Sequence, residues 1–390
     1  MAFAGLRGTG DWATDERPKN FREMILWRKP NGMAPLTALM AKMGSETTDD
    51  PEFAWWEEEL TAQRVTLNGV MNTVSTTVVV VNSGALNLVP GDVLLAEAAT
   101  DTATYELLKV NGVASDTTFD VIRGSAGTTA AAIANGAGLT KIGSVFSEGS
   151  TSPSVSNRNP TKLYNYTQIF KTAYEITRTA KKTRTRTGDP LKNDRKRRMF
   201  DHSVALELAF WFGVRNEALT GGSNGKPIRY TGGLRQFITT NRTIYGVATT
   251  EASFLTAVQN VFDYDTDAGN ERLVMCGNSA LMTVNKLAKA GLQLQATETV
   301  KLYGMELTKW VIPQGTFLFK THPLFNTHAR YTASMWVIDP SSVKYRYIDD
   351  TKMQDNIQAN DADEQKGQWL TEAGLEVHHE RTMAYLGNLN

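Results

Sequence analysis

Residues 189–222 read DPLKNDRKRRMFDHSVALELAFWFGVRNEALTGG, and this stretch carries clear signals for a long helix. Asp189 suits the N-cap of a helix, Pro190 suits the first helical position, and Gly221-Gly222 suits the end. These signals therefore predict a helix of about 30 residues, which is a rod about 45 Å long.

The two halves of this predicted helix differ in character. Lys192 to Arg198 is cationic on all sides, whereas Val204 to Val214 is apolar on nearly every face. A helix that is apolar on most faces is buried from more than one side. Cations near a helix N-terminus oppose the helix dipole, so we expect an anionic partner there; a solvated charged end is the alternative.

Composition and charge narrow the class of protein. The chain has 390 residues, 41% of them hydrophobic and 21% charged, which is enough for two or three globular cores. Lysine plus arginine equals aspartate plus glutamate at 41 each, so the net charge favours no partner. The acidic segment Glu46–Glu59 nevertheless has seven acids and no base, and the basic segment Arg178–Arg198 has ten bases and two acids. Such blocks could join one copy of the chain to another.

Some classes of protein are excluded. Cys276 is the only cysteine, which rules out an intrachain disulfide framework and a cysteine-rich metal site. Charged residues are spread through the first thirty positions and no apolar run approaches 18 residues, so we predict neither a secretory signal nor a membrane partner. We expect synthesis and folding in a cytosol.

Residues 1–62 are predicted to form an irregular arm, with one short amphipathic helix at Pro35–Met43. Phe53, Trp55 and Trp56 lie within the acidic segment, where they have no core of their own. We interpret these aromatic residues as anchors that dock onto another surface.

Val65 to Ile142 is rich in valine, threonine, alanine and glycine and poor in bases. Short strands are predicted at 76–81, 92–95, 105–110, 118–123 and 138–142, with turn residues between them. The pattern predicts a small β-barrel or sandwich inserted into the chain.

A linker rich in Ser, Pro and Asn, Phe146–Pro160, leads to an extended stretch at Tyr164–Thr187. Phe170, Tyr174 and Ile176 share one face of it, as in a strand with one side covered. Beyond residue 222 helices and strands follow in separate runs without regular βαβ alternation, so the predicted class is α+β rather than a doubly wound sheet.

Two stretches partly match motifs for catalysis or metal binding, but the residues and predicted elements around them do not fit those motifs. Gly221–Gly225 matches the hydrolase elbow around Ser223, but a predicted helix enters it and a loop leaves it, whereas the elbow needs a strand and then a helix. Residues 263–267 start like a calcium loop, yet Ala268 stands at the glycine place. No acid–base pair or metal cluster remains, so we expect an assembly protein with no cofactor, not an enzyme.

The predicted order along the chain is an arm, an inserted β domain, an extended stretch, a long helix and an α+β region. Four stretches accompany this order: APLTAL at 34–39, PEFAWWEEEL at 51–60, EGS at 148–150 and YNYTQIF at 164–170. Together they resemble the tailed-bacteriophage major capsid proteins of the Hong Kong 97 (HK97) type, in a branch with a β domain inserted in the extended loop. The resemblance implies an α+β HK97-like capsid fold with a long spine helix, a mixed α+β central domain and an inserted small all-β domain. It implies a major capsid protein that self-assembles through pentamers and hexamers into the icosahedral head shell around the phage genome.

The resemblance also implies a division of the chain. The parts are an N-terminal arm at 1–62, an extended loop at 63–178 with the β domain at about 65–142, the basic strand end and spine helix of the peripheral domain at 179–224, a central axial domain at 225–345, and C-terminal strands returning to the peripheral domain at 346–390. Implied partners are copies of the chain itself, portal, scaffolding or decoration proteins, and packaged DNA by proximity without sequence-specific binding. The implied location is the virion capsid, assembled in the host cytoplasm.

We predict that the acidic segment of one subunit meets the basic segment of another, with tryptophans as packing anchors. The candidate contact residues are Trp55, Trp56, Glu57, Glu58, Glu59, Lys181, Lys182, Arg184, Arg186, Arg195, Arg197 and Arg198. Charge reversal at Arg195 and Arg197 is then predicted to block shell formation and leave a folded subunit.

The rival interpretation is a nucleic-acid-binding protein that uses residues 178–198, because ten bases could neutralise several phosphates. The segment lacks interleaved aromatic residues and a base-reading motif. A third class, a hydrolase, would lose its activity in Ser223→Ala.

Overall fold

The computed structural model describes residue 36 and residues 45–58, 62–81, 84–96, 105–153, 157, 159–185, 187–267, 269–290, 299–302 and 305–390; for residues 288–290, 299–302 and 305–306 it describes the backbone alone. The chain divides into two compact units. The larger unit comprises Met1–Trp55 and Tyr164–Asn390, and the smaller unit comprises Trp56–Leu163.

Five helices with described ends lie in the larger unit: α1 Arg178–Lys182, α2 Pro190–Phe212, α3 Leu234–Phe237, α4 Glu251–Gln259 and α5 Asn278–Ala290. Leu36 is also helical, and the other residues of the predicted helix Pro35–Met43 lie outside the described part of the chain. Short 3-10 turns complete the helical structure, at Gly84–Asn87, Ser125–Gly127, Asn260–Phe262, Pro323–Thr327, Pro340–Ser342 and Glu380–Thr382.

The long helix α2 begins where its sequence predicts. The Asp189 carboxylate accepts a hydrogen bond from the Leu191 N–H at 3.0 Å, and Pro190 occupies the first turn. The predicted end at Gly221-Gly222 is wrong, because α2 ends at Phe212.

The early end of α2 has a steric cause at Gly213. A Cβ atom at this position would lie 2.3 Å from the Thr231 carbonyl oxygen, so a second segment of chain approaches the helix end too closely for a side chain. Strand β11, Asn216–Ala218, then pairs antiparallel with β12, Ile228–Tyr230, so the loop predicted to follow Gly221–Gly225 contains a strand.

A four-stranded sheet packs against α2. Its order is β1 (Ser45–Thr47), β19 (Val343–Gln354), β20 (Glu364–Val377) and β10 (Gln168–Thr177). Phe210 of α2 meets Phe170 of β10 with ring centroids 6.4 Å apart and Tyr345 of β19 at 6.1 Å. Because Phe170, Phe210 and Tyr345 all belong to one buried cluster, this contact fixes the helix on the sheet.

The predicted extended stretch Tyr164–Thr187 is broken in two places. Strand β9, Thr161–Tyr166, pairs with β2, Glu52–Glu57, and β10 follows it. The strand does not continue to Thr187, because the Thr177 side chain accepts a hydrogen bond from the Ala180 N–H and caps α1. The first bases of the basic segment are therefore helical.

A seven-stranded mixed sheet forms the second part of the larger unit. Its order is β13 (Arg242–Ile244), β21 (Ala384–Gly387), β18 (Met335–Ile338), β14 (Glu271–Cys276), β17 (Gly315–Thr321), β16 (Met305–Ile312) and β15 (Thr299–Leu302). Phe254 and Val258 of α4 and Ala280 and Val284 of α5 share a buried cluster with this sheet. The predicted α+β class is confirmed, with a long helix and separate runs of helices and strands.

The smaller unit contains a closed β-barrel. Its strands run in the order β3 (Arg64–Thr66), β8 (Gly138–Ser144), β5 (Asp92–Ala96), β6 (Glu106–Val113), β7 (Thr118–Ile122) and β4 (Thr77–Val79). The Val81 N–H donates to the Thr66 carbonyl oxygen at 3.0 Å and the Asn68 N–H to that of Val79 at 2.8 Å, which joins the last strand to the first. Alternate residues of the strands fill the interior with a core of its own.

A buried ion pair joins Glu106, at the start of β6, to Arg123, just after β7. The Glu106 Oε2 atom lies 2.6 Å from Arg123 Nη2, and its carboxylate also accepts hydrogen bonds from the backbone N–H groups of Gly124 and Ala131. Burial by itself raises the pKa of Glu106, but the hydrogen bonds from Arg123 and the two N–H groups outweigh it and hold that pKa below its ordinary value.

Candidate subunit interface

The start of the acidic segment is bound to its own chain. Ser45–Thr47 adds to the four-stranded sheet as a parallel strand beside Tyr345–Tyr347. The Glu46 carboxylate lies 2.5 Å from Arg346 Nη1 and 3.3 Å from Lys344 Nζ. Part of the negative charge that was predicted to face a neighbouring subunit is therefore neutralised within the chain.

The two tryptophans of the acidic segment have different surroundings. Trp55 is 6% exposed, and its ring centroid lies 5.8 Å from that of Phe237 and 5.7 Å from that of His378. Phe53 stacks on Trp55 at 6.3 Å. Trp56, by contrast, is 63% exposed. Trp55 thus packs within its own subunit, and Trp56 is the tryptophan of this segment whose apolar surface is exposed.

The remaining acids of the segment are at the surface. Asp49, Asp50 and Glu58 are exposed, and Glu57 is half-buried. Glu59, also a candidate contact residue, lies outside the residues that the structure describes.

Much of the basic segment binds the C-terminal hairpin of strands β19 and β20. Arg178 Nε lies 2.7 Å from Asp363 Oδ1, and Lys181 Nζ donates to Gln365 Oε1 at 2.7 Å. These contacts join the start of the basic segment to residues that follow it by more than 180 positions.

Arg195 makes the most structured of these contacts. Its Nη2 atom lies 2.7 Å from Asp355 Oδ1, and its Nε atom donates to the Tyr174 hydroxyl at 3.1 Å. Tyr174 is buried and also donates to Asp355. Charge reversal at Arg195 would therefore disturb the subunit itself, and the predicted test with Arg195 and Arg197 needs different residues.

The other bases divide into paired and open cations. Arg197 and Arg198 form loose pairs with Asp194 and Asp201 at 3.6 and 3.3 Å, one helical turn away on α2. Three cations, Lys182, Arg184 and Lys192, are exposed and have no carboxylate partner among the residues that the structure describes. Arg186 lies outside those residues.

A buried carboxylate on α2, Glu207, escapes prediction from sequence. Its Oε1 atom accepts hydrogen bonds from the Leu36 N–H at 3.0 Å, from Trp211 Nε1 at 2.9 Å and from His322 Nε2 at 2.7 Å. The Leu324 N–H donates to His322 Nδ1, so the donating nitrogen of that ring is Nε2. The i, i+4 spacing of Glu207 and Trp211 was the one local signal of this site.

The stretch YNYTQIF contributes a second buried polar group, Asn165. Its side-chain nitrogen donates to the carbonyl oxygens of Leu375 at 2.6 Å and Gly232 at 3.0 Å, and its oxygen accepts from the N–H groups of Gly232 and Tyr166. Asn165 therefore joins three segments of the larger unit through backbone groups that would otherwise lack partners.

The residues considered for catalysis are not arranged for it. Ser223 is exposed in the loop between β11 and β12, so a strand enters and a strand leaves, which also corrects the predicted helix before it. Cys276 is fully buried, and burial raises the pKa of its thiol to about 12. In the described part of the chain no three His, Cys, Asp or Glu side chains are grouped as metal ligands, and no helix there is long and apolar enough to cross a membrane.

The two C-terminal histidines lie just after β20, which ends at Val377. His379 has a left-handed backbone with φ of 47°, which turns the chain out of the sheet. His378, just before this turn, faces Trp55 and donates to Glu376.

Comparison with known proteins identifies the family. The sequence profile of the SU10 major capsid protein family matches residues 7–390. A protein of Pseudomonas phage PaMx41 described as a major capsid protein is 28% identical over 356 residues, which cover 89% of this chain and 82% of that protein.

Solved capsids are similar over most of the chain. The capsid of Myoviridae phage XM1 is 9% identical, covers 95% of this chain and 97% of its own, and has a TM-score of 0.48. The capsid of a native GTA particle is 10% identical, covers 96% of each chain and has a TM-score of 0.46. The family match extends over both compact units. This chain therefore belongs to the SU10 major capsid protein family and is a structural protein of the phage head shell, not an enzyme.

Proposed function

We propose that this chain builds the head shell by the HK97-type arrangement, in which its copies form pentamers and hexamers that close into an icosahedron around the genome. The observation that carries the proposal is the family match from residue 7 to residue 390, which takes in both units. Capsid proteins assemble with copies of themselves, and head-to-tail contacts between identical subunits close into rings.

In this arrangement α2 is the spine helix of the peripheral domain. The support is its shared core with the four-stranded sheet, to which the C-terminal strands β19 and β20 belong. The seven-stranded sheet with α4 and α5 is the axial domain, within residues 225–345 and with β21 added from the C-terminus. The barrel of the smaller unit is the β domain of the extended loop.

The contact between neighbouring subunits uses the exposed charges of each segment that form no ion pair within the part of the chain that the structure describes. On the acidic side these are Asp49, Asp50 and Glu58, with Trp56 as the apolar anchor. On the basic side they are Lys182 at the end of α1, Arg184 between α1 and α2, and Lys192 in the first turn of α2. Opposite charge steers the encounter, and burial of an exposed tryptophan adds most of the affinity.

Lys192 has a further reason to attract an acidic partner. It lies at the positive end of the α2 dipole, and the Asp189 cap is the only acid in its turn. Carboxylates of a neighbouring subunit at this end of α2 would offset the unfavourable interaction between Lys192 and the helix dipole.

The purified full-length protein tests the proposal. Electron microscopy and sedimentation at a range of concentrations should show closed shells and rings of five or six subunits. Persistent monomers in the presence of the phage's own scaffolding and portal proteins would contradict it. Scaffolding, portal and decoration proteins are further expected partners.

The open cations also favour a second candidate, contact with nucleic-acid phosphates. Packaged DNA would meet them by proximity, without sequence reading. The two candidates differ in what the open cations are needed for: contact with DNA predicts DNA binding with a steep salt dependence, whereas contact between subunits predicts loss of shells when these cations are reversed.

A further inference from the structure

Glu376 on β20 is a buried carboxylate with two cationic or polar partners on different sides. Its side chain is 3% exposed, and it accepts hydrogen bonds from Arg346 of β19 and from His378. Burial alone raises the pKa of Glu376, but the hydrogen bonds from His378 and Arg346 outweigh it and leave the pKa below its ordinary value. The hydrogen bonds from Arg346 and His378 therefore take the place of water around the buried charge of Glu376.

Each of these two partners also contacts a residue of the acidic segment. Arg346 Nη1 lies 2.5 Å from Glu46 Oε2, so one branch runs from Glu376 through Arg346 to the strand Ser45–Thr47. His378 lies against Trp55 with ring centroids 5.7 Å apart, so the other branch runs through His378 to the buried tryptophan. The two branches reach the acidic segment at points nine residues apart, 46 and 55.

Between these points the acidic segment follows the sheet surface. The Thr48 N–H donates to the Tyr347 carbonyl oxygen at 3.0 Å, and the Thr167 N–H donates to that of Pro51 at 2.8 Å. A Cβ atom at Gly374 would lie 2.7 Å from the Phe53 ring, so Phe53 rests directly on β20 where a side chain is missing. The segment therefore lies along the sheet, held by ion pairs at the Glu46 end and, at the Trp55 end, by aromatic contacts and by the pairing of β2 with β9.

We infer that Glu376 is a positioning residue for shell assembly. It orients Arg346 and His378 so that they hold Glu46 and Trp55 of the acidic segment against the subunit, which leaves Trp56 and Glu58 exposed for contact with a neighbour. This inference rests on the proposed function for the role of Trp56 and Glu58. The fastening itself is a property of the single subunit, and it is measured there.

A short edge strand explains why such a fastening is needed. Ser45–Thr47 is three residues long and parallel to β19. A strand this short contributes few hydrogen bonds against the entropy of ordering the chain around it. Glu46 is also half-exposed, so its pairs with Arg346 and Lys344 hold the strand only if Arg346 is itself fixed, and Glu376 fixes it.

Two readouts on the unassembled full-length subunit separate the branches. Hydrogen exchange at the Thr48 amide reports on the Glu46 end, and hydroxyl-radical oxidation of Trp55, resolved from that of Trp56 by mass spectrometry, reports on the other. Arg346→Gln should speed Thr48 exchange by at least about tenfold and leave Trp55 protected. His378→Ala should expose Trp55 to oxidation and leave Thr48 exchange unchanged.

Glu376→Gln should change both readouts together, which a residue with only a local packing role would not do. Exchange in β14 at the centre of the seven-stranded sheet should stay at its original rate in every variant. Glu271→Gln is the matched control, because Glu271 is exposed and no described contact uses its carboxylate.

The inference is overturned if Glu376→Gln changes neither readout or only one of them. If that variant fails to fold, the Arg346→Gln/His378→Ala double variant takes its place, and protection of both ends in it would equally overturn the inference. Shell yield is scored separately by sedimentation. A wild-type chain that forms no shells with the phage's scaffolding and portal proteins present would refute the proposed function, and the subunit measurements would still decide the role of Glu376.

Discussion

Glu207 on α2 accepts a hydrogen bond from the backbone N–H of Leu36 at 3.0 Å, although 171 residues separate the two along the chain. Leu36 is itself fully buried in the cluster that holds α2 on its sheet. A residue of the predicted N-terminal arm is thus part of the folded core of its own subunit.

Replacement of Glu207 by Ala should therefore destabilise the core of the larger unit and not only α2. It would leave the Leu36 N–H, Trp211 Nε1 and His322 Nε2 buried without an acceptor, at a cost of about 1–3 kcal/mol for each group. We expect the free energy of unfolding in urea to fall by at least about 3 kcal/mol. Glu207→Gln should cost less, because the amide oxygen can take the place of Oε1, and an equal loss in the two variants would contradict this account.

Charge reversal at the open cations should separate assembly from folding. Lys182→Glu with Arg184→Glu removes no ion pair of the described structure, so the melting temperature should stay close to that of the wild type. Shell yield in sedimentation should fall, because the acidic segment of a neighbour would meet like charge. Wild-type yields of shells from this variant would refute the proposed contact.

Arg195→Glu is the matched comparison for that experiment. It breaks the pair with Asp355 and the hydrogen bond to Tyr174, so it should lower stability by about 1–3 kcal/mol as well as disturb assembly. Restoration of stability by Arg195→Glu/Asp355→Arg would show that the charge pair accounts for the loss.

His202 should make the subunit less stable in mild acid. Burial among Thr172 and Thr371 lowers the pKa of its imidazole, and the described hydrogen bonds of the ring are to these two hydroxyls. Between that lowered value and the ordinary value of about 6.5, the unfolded chain binds a proton that the folded chain does not. Stability therefore falls as the pH drops below about 6.5.

Urea midpoints at pH 7.5 and 5.5 measure this dependence. His202→Gln should reduce the difference between the two midpoints, and the exposed His328→Gln should leave it unchanged. An unaltered difference in His202→Gln would assign the pH dependence to other groups.

The Glu106–Arg123 pair should decide the stability of the barrel alone. Glu106→Ala leaves the Arg123 guanidinium buried without its carboxylate, at a cost of about 3–5 kcal/mol. Hydrogen exchange should accelerate in peptides from 64–144 and remain slow in β14, because the barrel has its own core. Equal acceleration in both would show that the two units unfold together.

The sequence predicted the start of the long helix and most barrel strands, because these depend on residues close together in the chain. Asp189 and Pro190 defined the start of α2, and alternation placed most barrel strands within a few residues, because capping and period-two patterns act over a few positions. The family resemblance rested on such stretches too, and the capsid function that it implied is confirmed by the family match.

The partners of charged groups depended on the fold. Glu46 meets Lys344 across 298 residues and Arg195 meets Asp355 across 160, so each charged segment finds some of its partners in distant parts of its own chain. The end of α2 likewise followed from the approach of Thr231 to Gly213. Residues a few positions apart were enough to predict the start of α2, most barrel strands and the sign of each charged segment, but not α1, β11 or β12. Which carboxylates are buried and which tryptophan is exposed depended on the folded chain, because burial arises where segments from distant parts of the sequence meet.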